Sequence, residues 1–423
     1  MARLRAWWQT LSAAFWFVPS AVTAAYVLLA FGLVELDRRT SVVLGFDGDA
    51  SAARGILSTI AGSLITVAGL SFSLTIITLQ LVSQQFTPRA VRGLLADRVN
   101  QVVAGSFVGV FAYCLLVLRV IRTGNESDDL PFVPGLAVSA AIVLALVSLV
   151  LLLVFIHHMG RSIQVSTIAG RIGRELDEAI DRLYPGRFGD PAEDETPAWE
   201  TEGEPGLIRG QRTGFVQRLD LELLARTAPD GACIRVPLAP GDLVTQSNVL
   251  LEVWPAAVAE ELETCVGRAV VVADERDIVQ DTRFGVRQLV DIALRAISPG
   301  INDPTTARTC IGYLQDALEQ LAGREYPVEL RRGDGTLVQA RRPDFAEHLD
   351  LAFLELARYA DVRVASALLN ALAAIAEAAR RTGAPDRVAV VRAVGARVLE
   401  QAVPRASASA DRLSLEEAAA AIG

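Results

Sequence analysis

Lysine is absent: all 40 basic residues of the 423-residue chain are arginine. A replacement this uniform matches a GC-rich coding bias and is given no functional weight. Basic charge is also outnumbered by 49 acidic residues, for a net charge of -9. That excludes a general nucleic-acid binder, whose surface would be basic. Cysteine is scarce. Cys114, Cys233, Cys265 and Cys310 form no CxxC pair, and Cys114 lies within an apolar run, so neither a disulfide framework nor a thiolate zinc site is expected. Of three histidines, two are adjacent (His157 and His158), which leaves His348 alone in the C-terminal body. A Ser-His-Asp triad would have one base candidate and no supporting spacing. The chain has no GxxxxGK[ST] and no GxGxxG, and Ala296–Gly300 (AISPG) lacks the first glycine of a nucleophile elbow. No catalytic residue, cofactor or metal is therefore expected.

What is present is apolar. Hydrophobic residues make up 52% of the chain, and four long apolar stretches fall within the first 160 residues, followed by a charge-rich remainder. Spans are expected at about 14–36, 56–82, 99–121 and 134–156, each long enough to cross ~30 Å of hydrocarbon. The first is too long for a signal-peptide core and is read as a retained span. Arg3, Arg5, Arg89, Arg92, Arg98, Arg161, Arg171 and Arg174 flank one side, against Arg38, Arg39, Arg54 and Arg122 on the other. The positive-inside bias then puts both termini in the cytoplasm of a bacterial inner membrane. Trp7, Trp8 and Phe15–Phe17 suit an interfacial aromatic belt.

The second span is unlike the others. Thr59, Thr66, Ser73 and Gln80 recur every seven residues, with Ser63 and Gln84 beside them. A second stripe holds Ser71, Thr75, Thr78 and Gln85. Polar side chains are costly against lipid, so both stripes should face protein or water. Two readings stay open: helix–helix packing, which Gly62 and Gly69 also suit, and a solvated path. No charge sits mid-span, so a neutral path would suit a channel better than a proton-coupled pump. Gly105 and Gly109 form a GxxxG match in span three.

At the exit of span four, His157 and His158 point in different directions on a helix. They are read as interfacial anchors, as a junction that gates in response to pH, or as one ligand of an intersubunit metal site. Residues 186–206 are rich in Pro, Gly and acid and read as a linker. Strand patterns at Gly214, Cys233, Leu243 and Val249, with a short helix at about 220–228, suggest a small β-barrel or sandwich. From Asp281 the pattern is helical. Gly300 is expected to allow a tight turn before Asp303, which should N-cap a helix begun by Pro304. Free backbone N–H groups there make Gly300, Asn302, Asp303 and Thr305 candidates for anion or nucleotide binding, against the alternative of a capped turn. A hairpin turning at Gly333–Gly335 follows, then helices over about 344–402.

Three segments carry a resemblance: FSLTIITLQLVSQQFTPR at 72–89, FIHH at 155–158 and DTRFGVRQLVDIALRAISPGINDPTTA at 281–307. They resemble the signatures of a bacterial family of predicted membrane proteins carrying a domain of unknown function (number 2254). The resemblance covers most of the chain. It implies an inner-membrane protein and no established activity, so it supplies no catalytic residues.

The expected architecture is a four-helix transmembrane domain (1–160), a connecting helix with acidic linker (161–206), a β-rich subdomain (207–275) and a mainly helical subdomain (276–423). The favoured function is a homo-oligomeric channel for an inorganic ion, lined by Thr59, Ser63, Thr66, Ser73, Gln80 and Gln84, with a cytoplasmic gating domain. The rival is a membrane-anchored signalling or scaffold protein whose soluble domain binds a ligand or partner. The lipid bilayer is the expected partner; nucleic acid is not.

Overall fold

The computed structural model describes residues 16–39, 45–85, 97–122, 132–162, 164–184, 190–192, 203–327 and 329–423; within these, the side chains of 81–85 and 162 are not described. Trp7, Trp8, Arg3, Arg5 and most of the acidic 186–206 segment lie outside the described residues. The chain divides into two compact units, Met1–Ile168 and Ala169–Gly423.

The first unit is a bundle of α1 (Phe17–Arg39), α2 (Ala50–Gln85), α3 (Arg98–Val120) and α4 (Gly135–Ser162). α3 is its axis and packs on the other three. Val103, Phe107, Val110, Tyr113, Cys114 and Val117 of α3 are buried. The GxxxG match sits where α1 comes closest. A Cβ at Gly105 would stand 2.7 Å from the Pro19 Cα, and one at Gly109 would stand 2.4 Å from the Tyr26 ring. Thr23 Oγ1 donates to the Gly105 carbonyl at 3.2 Å. The Asp37 carboxylate at the end of α1 accepts from the Leu136 and Ala137 amides at 3.2 and 3.0 Å, tying α1 to the start of α4. Most of α4 is apolar and turned outward, with Leu146, Leu149, Val150 and Leu153 exposed.

The second unit mixes helices and sheets. It begins within α5 (Val165–Leu183), whose Gly170 and Gly173 lie against the Tyr313 ring. The strands are β1 (Asp190–Pro191), β2 (Gly206–Arg209), β3 (Gly214–Leu219), β4 (Cys233–Val236), β5 (Leu243–Val244), β6 (Val249–Trp254), β7 (Val270–Ala273), β8 (Leu330–Gly333) and β9 (Thr336–Ala340). Two sheets form, in the orders β1-β8-β9-β4-β6-β2 and β5-β3-β7. All pairings are antiparallel except β4 with β9. The expected barrel or sandwich within 207–275 is thus two sheets. The larger one takes β1 from the acidic segment and the β8–β9 hairpin from beyond residue 275. That hairpin turns at Asp334 and Gly335, with φ of 46° and 78°, the left-handed pair that Asp-Gly supplies in a two-residue turn. α6 (Leu221–Thr227) and α7 (Val258–Ala269) share one core with both sheets, around Val216, Leu224, Ile234, Leu251, Leu262 and Val338.

The helical part comprises α8 (Thr282–Ala296), α9 (Pro304–Gly323), α10 (Phe345–Tyr359), α11 (Val362–Arg381), α12 (Pro385–Ala402) and α13 (Ser409–Ala420). Aspartates N-cap four of them in turn: Asp281 on α8, Asp303 on α9, Asp344 on α10 and Asp361 on α11. Each is worth about 1 kcal/mol against alanine. Among the described residues five helices are long and apolar enough to cross a membrane, one more than the four expected: α1, α2, α3, α4 and α11. α11 qualifies through its run of alanine and leucine, yet it carries Arg363, Asn370 and Glu377 and packs against α9, α12 and α13.

Candidate functional site

α2 has two chemically distinct sides. Successive residues turn by about 100°, which puts Ala53, Leu57, Ala61, Leu64 and Ala68 on one line, and all five are buried against the bundle. Ser71 and Thr78 lie on that inward side, also buried, with Thr75 half-buried. Thr59, Ser63, Thr66, Ser73 and Gln80 lie on the opposite side and are exposed. Gly55, Gly62 and Gly69 share this outward face, where an added methyl would meet nothing within 4 Å. The hydroxyls donate back into the helix: Thr59 to the Gly55 carbonyl at 2.8 Å, Ser63 to Thr59 at 2.8 Å and Thr66 to Gly62 at 2.9 Å. The donors of these three are therefore spent, and their oxygen lone pairs are what they present. The side chain of Gln84 lies outside the described residues. A cavity of about 240 Å³ between α2 and α4 is reached by Thr59, Ser63 and Ser148 among aliphatic neighbours.

The histidine pair divides as helical geometry requires. His157 is exposed. His158 turns inward, its Nε2 2.7 Å from Asp97 Oδ2. The same aspartate caps α3 through the Val99 amide at 2.9 Å, so one carboxylate joins the end of α4 to the start of α3. One turn further on, both amide atoms of buried Asn100 lack a hydrogen-bond partner among the described residues.

The 300–305 turn is capped by its own chain. Asp303 Oδ1 accepts from the Thr305 and Thr306 amides, each at 3.1 Å, and Oδ2 accepts from the Thr306 hydroxyl at 2.6 Å. That hydroxyl first, then the amides, hold the carboxyl below its ordinary range. A negative charge thus already occupies the position an anion would take. Gly300 does not supply the turn expected of it. The left-handed residue is Asn302, at φ 48°, and a side chain at Gly300 would meet nothing.

The second unit holds a cavity of about 370 Å³ at the junction of α5, β3, α6 and β9. Arg182, Arg218, Arg341 and Arg342 line it, with Tyr184 and Thr282 at its inner end. Behind these is a buried polar chain. Thr282 Oγ1 lies 2.8 Å from His348 Nε2, and His348 Nδ1 lies 2.6 Å from the Asp344 carbonyl. The carbonyl can only accept, so Nδ1 carries the proton and Nε2 accepts from the Thr282 hydroxyl. The Tyr184 and Tyr326 rings pack around His348 at centroid distances of 6.5 and 6.4 Å. Burial is the main cause that pushes His348 down to about 4 and raises Tyr184 above the ordinary phenol range.

The family model described as "Predicted membrane protein (DUF2254)" matches residues 12–374. The chain belongs to this family. Uncharacterized proteins of Mycobacterium tuberculosis and Mycobacterium bovis are similar to it, at 34% identity over 362 residues, covering 82% of this chain and 69% of theirs. No solved structure matches.

The matched region takes in both α2 and the arginine-lined cavity, so both belong to the family's part of the chain. Sequence reading located the first and missed the second. His348 was visible as a lone histidine, but its partner Thr282 is 66 residues away. The arginines come from three separate segments, around residues 182, 218 and 341–342, and no spacing rule links them. No group of three or more His, Cys, Asp or Glu is arranged to hold a metal among the described residues.

Proposed function

We propose that this family member is a homo-oligomeric channel of the bacterial inner membrane, with α2 lining the path for an inorganic ion. The observation that carries the reading is the outward face of α2. Thr66, Ser73 and Gln80, continued by Thr59 and Ser63 at the edge of the α2–α4 cavity, form an exposed column on the side of α2 opposite its packed line of Ala53, Leu57, Ala61, Leu64 and Ala68. Left against lipid, such a column forgoes the solvation of its oxygens and of Gln80's amide. Assembly of several copies around these faces supplies water or protein instead. In this reading α1 to α4 cross the bilayer and α11 stays in the soluble unit. The arginine bias sets both termini in the cytoplasm, and the second unit is a gating or vestibule domain without catalytic function.

The test is ion flux through the purified protein in liposomes, across cations and anions, for the wild type and Ser73→Trp. Flux that Ser73→Trp blocks is expected. Flux left unchanged by Ser73→Trp in a folded protein would refute the assignment of α2 as the lining. A second reading, a membrane-anchored sensor, is favoured by one specific observation, the arginine-lined cavity. It predicts saturable ligand binding with no flux under voltage, pH change or tension.

A further inference from the structure

We infer that the arginine-lined cavity of the second unit is a binding site for a phosphate ester. The inference stands independently of the pore reading. The first argument is charge. Four arginines line one cavity in a chain whose acidic residues outnumber its basic ones. Two carboxylates also line it. Asp220 is held as the N-cap of α6 by the Leu223 amide at 3.0 Å, and Glu222 is exposed. Arg341 is partly neutralised, 3.4 Å from both Asp242 and Glu347. Arg182 donates to the Glu178 carbonyl at 3.3 Å. Among the described residues Arg182, Arg218 and Arg342 have no carboxylate within ion-pair distance. Elsewhere in the same unit Arg235, Arg276, Arg283 and Arg287 are each paired.

The second argument is desolvation. Arg342 is half-buried, and its ordinary pKa is lowered chiefly by that burial. The neighbouring Arg331 adds to the effect, while Tyr184 opposes it. A guanidinium withdrawn from water without a counter-charge is destabilising, and a bound anion offsets that cost. The third argument is stoichiometry of donors. Each guanidinium offers a planar fork that matches two oxygens. Several forks meeting at one place present more donors than the two oxygens of a carboxylate accept, whereas the terminal oxygens of a phosphate accept from all of them. Leu183, Leu219, Pro240 and Pro343 give the rest of the wall an apolar part beside Tyr184, Gln280 and Thr282, which suits the organic part of an ester rather than a bare ion. At about 370 Å³ the cavity lies within the range of small-molecule sites. A soluble nucleotide and a phospholipid headgroup offer the same phosphate chemistry.

The experiment uses the full chain in an uncharged maltoside detergent. Isothermal titration is run with adenosine monophosphate, with short-chain phosphatidylglycerol below its micelle concentration, and with adenosine as the uncharged control. Saturable binding of at least one phosphate probe and none of adenosine is expected. Affinity should fall by about tenfold or more in Arg342→Gln and in Arg218→Gln, the size of one charge-assisted hydrogen bond. It should be unchanged in Arg363→Gln, on the exposed side of α11. The tighter probe identifies the source of the phosphate. No saturable binding of either phosphate probe would overturn the inference, as would equal affinity in wild type and the folded variants. Arg218 is exposed, so its variant carries the test even if Arg342→Gln fails to fold.

Discussion

His348 offers a sharp test of the second unit's core. Its side chain has no exposed surface, and both ring nitrogens are committed, Nδ1 as donor to the Asp344 carbonyl and Nε2 as acceptor from Thr282. A second proton would have to sit on Nε2, facing the hydroxyl hydrogen, in a site water does not reach. Burial is the largest cause of a pKa pushed down to about 4; the Asp344 carbonyl opposes it and the Arg283 charge reinforces it. An unfolded histidine titrates at about 6.5. The folded value is the lower one, so between the two the unfolded chain binds more protons, and stability rises with pH. The contribution is fully present above about pH 6.5 and is lost as pH falls toward 4. The separation corresponds to roughly 3 kcal/mol, most of it lost between about pH 7.5 and 4.5. The assay is urea unfolding of the full chain in detergent, followed by Trp254 fluorescence across that range, for wild type and His348→Asn. Other titrating groups act on both proteins and cancel in the difference. The stability advantage of the wild type should shrink by roughly 2 to 3 kcal/mol on acidification. An advantage that stays constant across the range would refute the neutral buried imidazole.

The bundle, the helix caps and the junction give further expectations. Gly105→Ala should destabilise the protein by about 1 to 3 kcal/mol, because its methyl meets the Pro19 backbone, which cannot rotate away. Gly109→Ala, against the turnable ring of Tyr26, should cost less despite the shorter distance, and Gly32→Ala, in open space, should be neutral or stabilising; thermal melting in detergent ranks the three. Asp303→Ala should lower stability by about 1 kcal/mol through loss of the α9 cap while leaving binding of the phosphate probe by titration calorimetry unchanged. Asp97→Asn should weaken the link between α3 and α4, read as a lower melting temperature, and His157→Gln should not.

Much of the architecture was legible because it is local. Length and composition marked the spans. Asp303 followed by Pro304 announced α9, and Asp-Gly between two extended runs announced the β8–β9 hairpin. Each signal involves residues within a few positions of one another. The strands β2 and β7 and the helix α7 were not anticipated. The AVVVA run that ends α7 and forms β7 has no alternation, so periodicity cannot separate helix from strand there.

The amino-acid sequence by itself determined that the N-terminal part is a set of apolar helices, that α2 carries two polar stripes, and that helices of the second unit begin at Asp281 and Asp303. Those properties depend on composition and on neighbours along the chain. Only the tertiary structure decided which stripe of α2 turns inward, because both have a helical period and the choice rests on the packing of α3. It also joined β9 to β4 in parallel, brought Thr282 to His348 and gathered four arginines around one cavity. Such contacts join segments far apart in the chain, and they form only when the burial of a shared core outweighs the entropy of closing the loops between them.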